Sequence, residues 1–373
     1  MKIIKFIDLF CGAGGLSEGL TKAGMKAVYA TDIDEQAIET FKFNHKDVTA
    51  EKTDIRNITG DRILELTKSK RGDIELVVGG PPCQGFSLAG LRIPESPKNK
   101  LVLEYLRVIR EIEPRAFLFE NVPGIMSMQN GAVVNALRYA FEELGYKVNY
   151  KILNPMDFGV PQSRPRFILI GSKEGDFSFP DPTHFNPNNI KQPDLFGKPL
   201  LSPYITVEEA LSDLPYIEQG QGSEELGYSS DYKNEYQKNR RGNRFVGKIF
   251  NHRATKHSEK IITRYSMIPQ GATNGAIPEE FRTKKNNVFK LSLNKPSRTV
   301  TCNFRTDLLH PLIPRGLTVR EAARLQSFDD DYKFFGNLTR KAKWVTQDDQ
   351  VGNAVPPLFV EAIGKNIIKF LEK

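Results

Sequence analysis

Two short apolar runs, each ending in a reactive side chain, constrain this chain most. Ile74-Glu75-Leu76-Val77-Val78 stops at Gly79-Gly80-Pro81-Pro82-Cys83-Gln84, and Ala116-Phe117-Leu118-Phe119 stops at Glu120-Asn121-Val122 before Pro123-Gly124. Runs this short, bounded by glycine and proline, predict buried strands that end in rigid turns. Between them Val102, Tyr105, Leu106, Ile109 and Ile112 recur at helical spacing, with Glu104, Arg107, Arg110 and Glu111 on the other face. Strand, helix and strand predict a right-handed crossover with parallel, neighbouring strands. Cys83 and Glu120 then both follow carboxyl ends of strands, the edge at which open α/β sheets bind ligands. A thiol and a carboxylate share one edge.

The same alternation opens the chain. Lys2 to Leu9 predicts a strand, Gly12-Ala13-Gly14-Gly15 a glycine turn, Leu16 to Lys22 a helix, Lys26 to Thr31 a strand ending at Asp32, and Asp34 to Phe43 a helix. Ala132 to Leu144 reads as helix, and Tyr146 to Leu153 with Arg166 to Ile170 as the arms of an antiparallel pair. The pattern predicts a doubly wound, mostly parallel α/β sheet. Near Pro180 the chain becomes rich in Pro and Asn, then polar and basic to about Pro314. Val319 to Gln326 reads as a helix, and Pro357 to Leu371 as an amphipathic one.

A glycine turn between a strand and a helix, with an acid ending the next strand, is the nucleotide-fold arrangement: glycines let the backbone approach the ligand and the acid takes ribose hydroxyls. Alone it fits a dinucleotide as well as any other adenosine cofactor. Asp54 reads either as an adenine acceptor or as an ordinary helix cap. Cys83 is more specific, because two prolines fix its backbone and flanking glycines leave room for a flat substrate. Gln162-Ser163-Arg164-Pro165-Arg166 adds two guanidinium groups.

The 373 residues contain only Cys11, Cys83 and Cys302, which argues against a disulfide framework or a structural zinc site. No apolar run reaches membrane-spanning length and no signal peptide is evident, so a cytoplasmic setting is expected. The formal net charge is +8, and Lys238 to Arg264 alone holds nine Lys and Arg against the one acid Glu259. Charge runs are usually solvated loops, but aromatics and Gly-Asn turns interleave here as in polyanion-binding surfaces.

Six ordered segments resemble the motif series of DNA (cytosine-5) methyltransferases: Phe6 to Gly15, Pro81-Pro82-Cys83-Gln84, Glu120-Asn121-Val122, Gln162 to Arg166, Arg320 to Gln326, and Gln350 to Pro357. The resemblance spans the chain except Phe179 to Asn294, the family's variable target-recognition region. It implies a Rossmann-like S-adenosyl-L-methionine-dependent methyltransferase fold, with residues 1–180 and 345–373 as a discontinuous catalytic domain and 181–344 as a smaller, loop-rich target-recognition domain. Cys83 would be the nucleophile, with Glu120, Arg164 and Arg166 as catalytic partners. Phe10, Gly12, Gly14, Asp32, Ile33, Asp54, Ile55, Leu101, Asn353 and Ala354 would hold the cofactor. The family usually has Glu at the position of Asp32 and often an aromatic at that of Ile33. Gln84, Ser87, Arg240, Arg241, Arg244, Lys248 and Arg253 are the candidate contacts to double-stranded DNA, and no metal is expected.

Five residues precede Phe6, so the expectation is a compact prokaryotic or phage-type monomer without an N-terminal regulatory arm, acting beside a cognate restriction endonuclease. A tRNA cytosine methyltransferase on the same scaffold is the nearest rival, but it needs a smaller region between Phe179 and Asn294. An inert DNA-binding module would be expected to have lost Cys83 or Glu120, and both are present.

Overall fold

The computed structural model of the protein describes residues 3–82, 99–187, 201–285, 287–338 and 345–373. It divides into two compact units, the first made of 1–154, 165–181 and 359–373, the second of 155–164 and 182–358.

The first unit is built on β1 (Lys5–Leu9), α1 (Gly15–Lys22), β2 (Lys26–Asp32), α2 (Glu35–Asn44), β3 (Thr49–Lys52), α3 (Gly60–Leu66), β4 (Leu76–Gly79), α4 (Asn99–Ile112), β5 (Ala116–Asn121), α5 (Ala132–Glu142), β6 (Lys147–Leu153) and β7 (Arg166–Ser172). Its seven strands lie in the order β3-β2-β1-β4-β5-β7-β6. The first five are parallel, and β7 pairs antiparallel with both β5 and β6. The mostly parallel, doubly wound sheet expected from the sequence is therefore present, with the predicted antiparallel pair at one edge.

Burial explains the continuous apolar runs: β4 and the first four residues of β5 are covered on both faces. Val102, Tyr105, Ile109 and Ile112 of α4 are fully buried against Val77, Phe117 and Phe119. On the helix's polar side Arg107 pairs with Glu104 at 2.6 Å and Glu111 at 2.8 Å. The Tyr105 hydroxyl donates to Leu118 O at 2.9 Å, tying the helix to the strand beneath it.

The second unit contains β8 (His184–Phe185), β9 (Ser202–Pro203), α6 (Val207–Leu211), β10 (Gly222–Gly227), α7 (Glu235–Arg240), β11 (Lys248–Arg253), α8 (Glu259–Met267), β12 (Phe289–Lys290), α9 (Phe304–Asp307), β13 (Leu308–Leu309), α10 (Val319–Leu325) and α11 (Gln347–Asn353). α12 (Pro357–Leu371) begins in this unit and ends in the first. All of α10 is buried, including Arg320 and Arg324. The Thr318 side chain accepts from Glu321 N and the Glu321 carboxylate accepts from Thr318 N, closing the helix start reciprocally. Arg315 grips Glu321 with two bonds of 2.7 and 2.8 Å, and Arg324 donates to Asp213 at 2.9 Å and to Asp330. Burial alone would raise the Glu321 and Asp330 carboxyls, but the guanidiniums beside them hold both below their ordinary values.

Segments 155–164 and 345–358 pack in the second unit, although the sequence analysis groups them with the first domain. Hydrogen bonds supply the reason. Gln162 Nε2 donates to Gln326 Oε1 at 2.9 Å and its Oε1 accepts from Val300 N at 2.7 Å, while Gln326 Nε2 donates to Val351 O at 2.7 Å.

Candidate active site

The carboxyl edge of the first unit's parallel strands gathers most of the singled-out residues. β4 and β5 are paired with Gly79 opposite Phe119, so Gly80 lies beside Glu120. A methyl group added at Gly80 would stand 3.0 Å from Glu120 Oε2, so the carboxylate would have to give by a few tenths of an ångström. Asn121 Nδ2 donates to Pro81 O at 2.9 Å, pinning the start of the Pro81-Pro82 turn to the same strand end. Cys83, Gln84 and Ser87, which continue that turn, lie outside the described residues.

Arg166, the first residue of β7, sets its guanidinium against Glu120, with Nε to Oε1 at 2.9 Å. Burial pushes the Arg166 pKa down and the Glu120 carboxylate pulls it back. The pair offers a carboxyl group and a cation side by side at a desolvated edge. Such an arrangement can hydrogen-bond a flat heterocycle and offset negative charge that develops on it.

The neighbouring β1 and β2 ends carry the glycine turn. Phe10 and Gly12 have positive φ of 61° and 52°, and Gly14, also left-handed, opens α1. Gly12 N donates to Asp32 Oδ2 at 2.9 Å and Asp34 N to Asp32 Oδ1 at 3.0 Å, so the carboxylate is fixed against the turn. Burial raises the Asp32 pKa while those two N–H groups oppose it. A methyl group at Gly12 would meet nothing within 4 Å, leaving the backbone bare for a ligand. Ile33 is 63% exposed beside Asp32, an apolar surface next to an acid. Asp54 caps the turn Ile55–Asn57 by accepting from Arg56 N at 3.0 Å, and the Arg56 guanidinium beside it holds its carboxyl low. Ile55 is core, and Leu101 packs half-buried against the same cluster.

Asp8 joins this edge without having stood out in the sequence. It is fully buried in β1; its Oδ2 accepts from Ser17 Oγ at 2.6 Å, and its Oδ1 has no hydrogen-bond partner among the described residues. Burial raises its pKa to about 7, against the opposing bond from Ser17. An acid inside the apolar run Phe6-Ile7-Asp8-Leu9 was the available signal.

The remaining candidates belong to the second unit. Arg164 is buried, with Nη1 donating to Val300 O at 2.6 Å and Nη2 to Gly352 O at 2.5 Å. Its guanidinium donates to these backbone carbonyls and ties segments of the second unit together. Asn353 is exposed at the end of α11, its Oδ1 accepting from the Cys302 thiol at 3.1 Å, and Ala354 follows as the helix cap.

Much of the basic window is paired within the second unit. Arg240 is buried against Ser327 O and Asp329, at 2.6 and 3.2 Å. Arg241 lies 3.3 Å from Asp213 and over the Tyr228 ring, and Arg244 pairs with Asp331 at 3.2 Å. Lys248 meets Glu225 at 2.6 Å. These four charges, read from sequence as DNA contacts, are neutralised within the unit. Arg253 has no carboxylate partner among the described residues.

Among the described residues no group of three or more His, Cys, Asp and Glu is arranged to hold a metal ion, and no helix is long and apolar enough to cross a membrane.

A nucleotide-type glycine turn and a carboxylate–guanidinium edge on a seven-stranded sheet define a methyltransferase-like α/β enzyme, and comparison with known proteins identifies its family. Residues 4–369 match the family of C-5 cytosine-specific DNA methylases. The Type II methyltransferase M.DdeI of Desulfomicrobium norvegicum is 36% identical over 99% of this chain and 89% of its own length. The Type II methyltransferase M.AgeI of Thalassovita gelatinovora is 34% identical over 98% of this chain and 99% of its own. A solved structure of a putative DNA modification methyltransferase encoded within a prophage of E. coli superposes with a TM-score of 0.78 at 28% identity, covering 99% of this chain and 100% of that one. The Dnmt2 methyltransferase of S. pombe, with a TM-score of 0.58 at 17% identity over 100% of this chain and 99% of its own, shares the fold. The chain belongs to the C-5 cytosine-specific DNA methylase family and is a DNA (cytosine-5) methyltransferase.

Proposed function

We propose that this enzyme methylates C5 of a flipped-out cytosine in a specific duplex DNA sequence, through a covalent bond from Cys83 to C6, as the modification half of a restriction–modification pair. The observation that carries the reading is the buried Glu120–Arg166 pair with the Pro81 turn bonded to Asn121 beside it, since the chain reaches Cys83 two residues later. The names of the relatives, Type II methyltransferases, support the restriction–modification setting.

Cytosine C5 is a poor nucleophile. Addition of the Cys83 thiolate at C6 turns the ring into an enamine with an electron-rich C5, splitting one difficult step into easier ones. Glu120 shares a proton with N3 and Arg166 faces O2, so negative charge entering the ring meets both. Once C5 has lost its proton, expulsion of the thiolate restores aromaticity. A stacked base cannot reach this edge, and unstacking it costs a few kcal/mol.

The glycine turn fits S-adenosyl-L-methionine. Asp32 would take the ribose hydroxyls, Ile33 and Phe10 would cover the adenine, and the bare backbone of Gly12, on the turn that Gly14 completes, would accept the methionine half. When bound, this cofactor supplies an electrophilic methyl group. Leu101, Ile55, Asn353 and Ala354 complete the proposed set; Asp54 joins it if its carboxylate gives up Arg56.

Trapping tests the reading. DNA carrying 5-fluorocytosine at the target should leave an adduct that survives denaturation, because fluorine cannot depart from C5 as a cation. Cys83→Ala should abolish the adduct, while Cys11→Ala and Cys302→Ala keep it. A full-strength adduct in Cys83→Ala would remove Cys83 as the nucleophile, and methylation of tRNA but of no DNA would replace the substrate.

A further inference from the structure

Within the basic window, Arg253 and Lys256 stand apart from the residues before them. Arg240, Arg241, Arg244 and Lys248 each face a carboxylate, whereas neither Arg253 nor Lys256 has an acidic partner among the described residues. Both are exposed, and both line a cleft of about 550 Å³ lying wholly within the second unit, together with Thr255, His257, Asn303 and Arg305. Two polar atoms of that lining are buried without hydrogen-bond partners among the described residues: Arg305 Nη2 and His257 Nε2. Arg305 cannot swing freely to find one, because its Nε donates to Asp348 Oδ1 at 2.6 Å and its Nη1 to Thr255 Oγ1 at 3.3 Å. A buried, unsatisfied donor costs roughly 1–3 kcal/mol unless something meets it.

We infer that this cleft clamps the DNA backbone, with phosphates met by the exposed Arg253 and Lys256 in the field of the fixed Arg305 guanidinium. Three cations face the single carboxylate of Asp348, so the lining keeps an excess of positive charge for an anion. Arg305, fixed by Asp348 and Thr255, adds a stationary positive charge to the cleft, and the exposed Arg253 carries the planar fork that suits phosphate oxygens. Thr255 and Asn303 add neutral donors. A cleft of this volume suits a length of strand better than an isolated ion. The phosphate face of the recognition unit therefore lies in the second half of the window.

This inference rests on duplex DNA being the substrate. The test uses the full chain and a labelled mixed-sequence duplex, with anisotropy measured from 50 to 200 mM salt. Phosphate contacts act on any sequence, and each contributes a slope of about 0.9 in log K against log salt. Arg253→Gln/Lys256→Gln should flatten the slope by about 1.8 and weaken two unrelated duplexes equally. Lys248→Gln, whose charge is already cancelled, should leave the slope as it was. Thermal midpoint and S-adenosyl-L-methionine affinity serve as fold controls. An unchanged slope in the Arg253/Lys256 variant, or an equal loss in Lys248→Gln, overturns the clamp. Failure of the unmutated enzyme to bind or methylate duplex DNA overturns the substrate reading instead.

Discussion

Arg166 Nε lies 2.9 Å from Glu120 Oε1 with only 10% and 12% of the two side chains exposed, a charge pair largely withdrawn from water at the sheet's edge. Removing one partner of so buried a pair strands the other's charge. Glu120→Gln keeps the shape and a hydrogen bond but loses the acid, and should slow methyl transfer by about 10²–10⁴. Single-turnover methylation with saturating DNA measures this; an undiminished rate would remove Glu120 from the chemistry.

Gly80 offers a subtler disturbance of the same carboxylate. In Gly80→Ala the new methyl would sit 3.0 Å from Glu120 Oε2, and the side chain must shift to relieve it. Displacements approaching 1 Å at a reacting centre cost up to about 10² in rate. The shift needed here is a few tenths of an ångström, so the single-turnover rate should fall by less than that, roughly severalfold, while cofactor affinity stays level. A loss of cofactor affinity with no change in rate would assign the glycine to the wrong ligand.

Asp32 accepts from two backbone N–H groups and still faces the bare turn at Gly12. Asp32→Ala should weaken S-adenosyl-L-methionine by at least about tenfold in calorimetry, with Asp32→Asn losing less because it keeps one acceptor. Binding of non-specific DNA should not move. Equal cofactor affinity in wild type and Asp32→Ala would end the ribose assignment.

Asp8 gives a pH dependence with a definite sign. Its folded pKa of about 7 lies above its ordinary 3.8, so the folded state holds a proton that the unfolded chain releases. The stability this contributes is complete below pH 3.8 and is lost as pH rises through about 7. Asp8→Asn removes the titration. The stability of the wild type should therefore fall relative to that of the variant between pH 4 and 8 by on the order of a few kcal/mol, seen as a falling thermal midpoint. A midpoint difference constant across that range would show that Asp8 does not titrate on unfolding.

The β4–α4–β5 crossover was legible because its signals are local: apolar runs, helical spacing and the glycine and proline stops lie within one stretch of chain. Glu120 and Asp32 followed from it, since strand ends in a parallel sheet share an edge. The arginines did not yield to the same reading. Arg164 and Arg166 look interchangeable in sequence, yet one faces carbonyls of Val300 and Gly352 and the other Glu120. Arg240 and Arg244 look free until Asp329 and Asp331, far along the chain, are brought to them. A cation's availability is a tertiary property, and no window of composition contains its partner.

The chain passes between its two units at 154/155, 164/165, 181/182 and 358/359, so neither unit is a contiguous cassette. Inheritance of a new recognition specificity by joining one gene's front to another's back would therefore split a unit. An exchange that respects both cores must replace an interior stretch between two breakpoints. Long blocks of loop-borne sequence after residue 182 can travel that way, while segment 155–164, sewn to residues 300, 325 and 326, must suit its new neighbours from the outset.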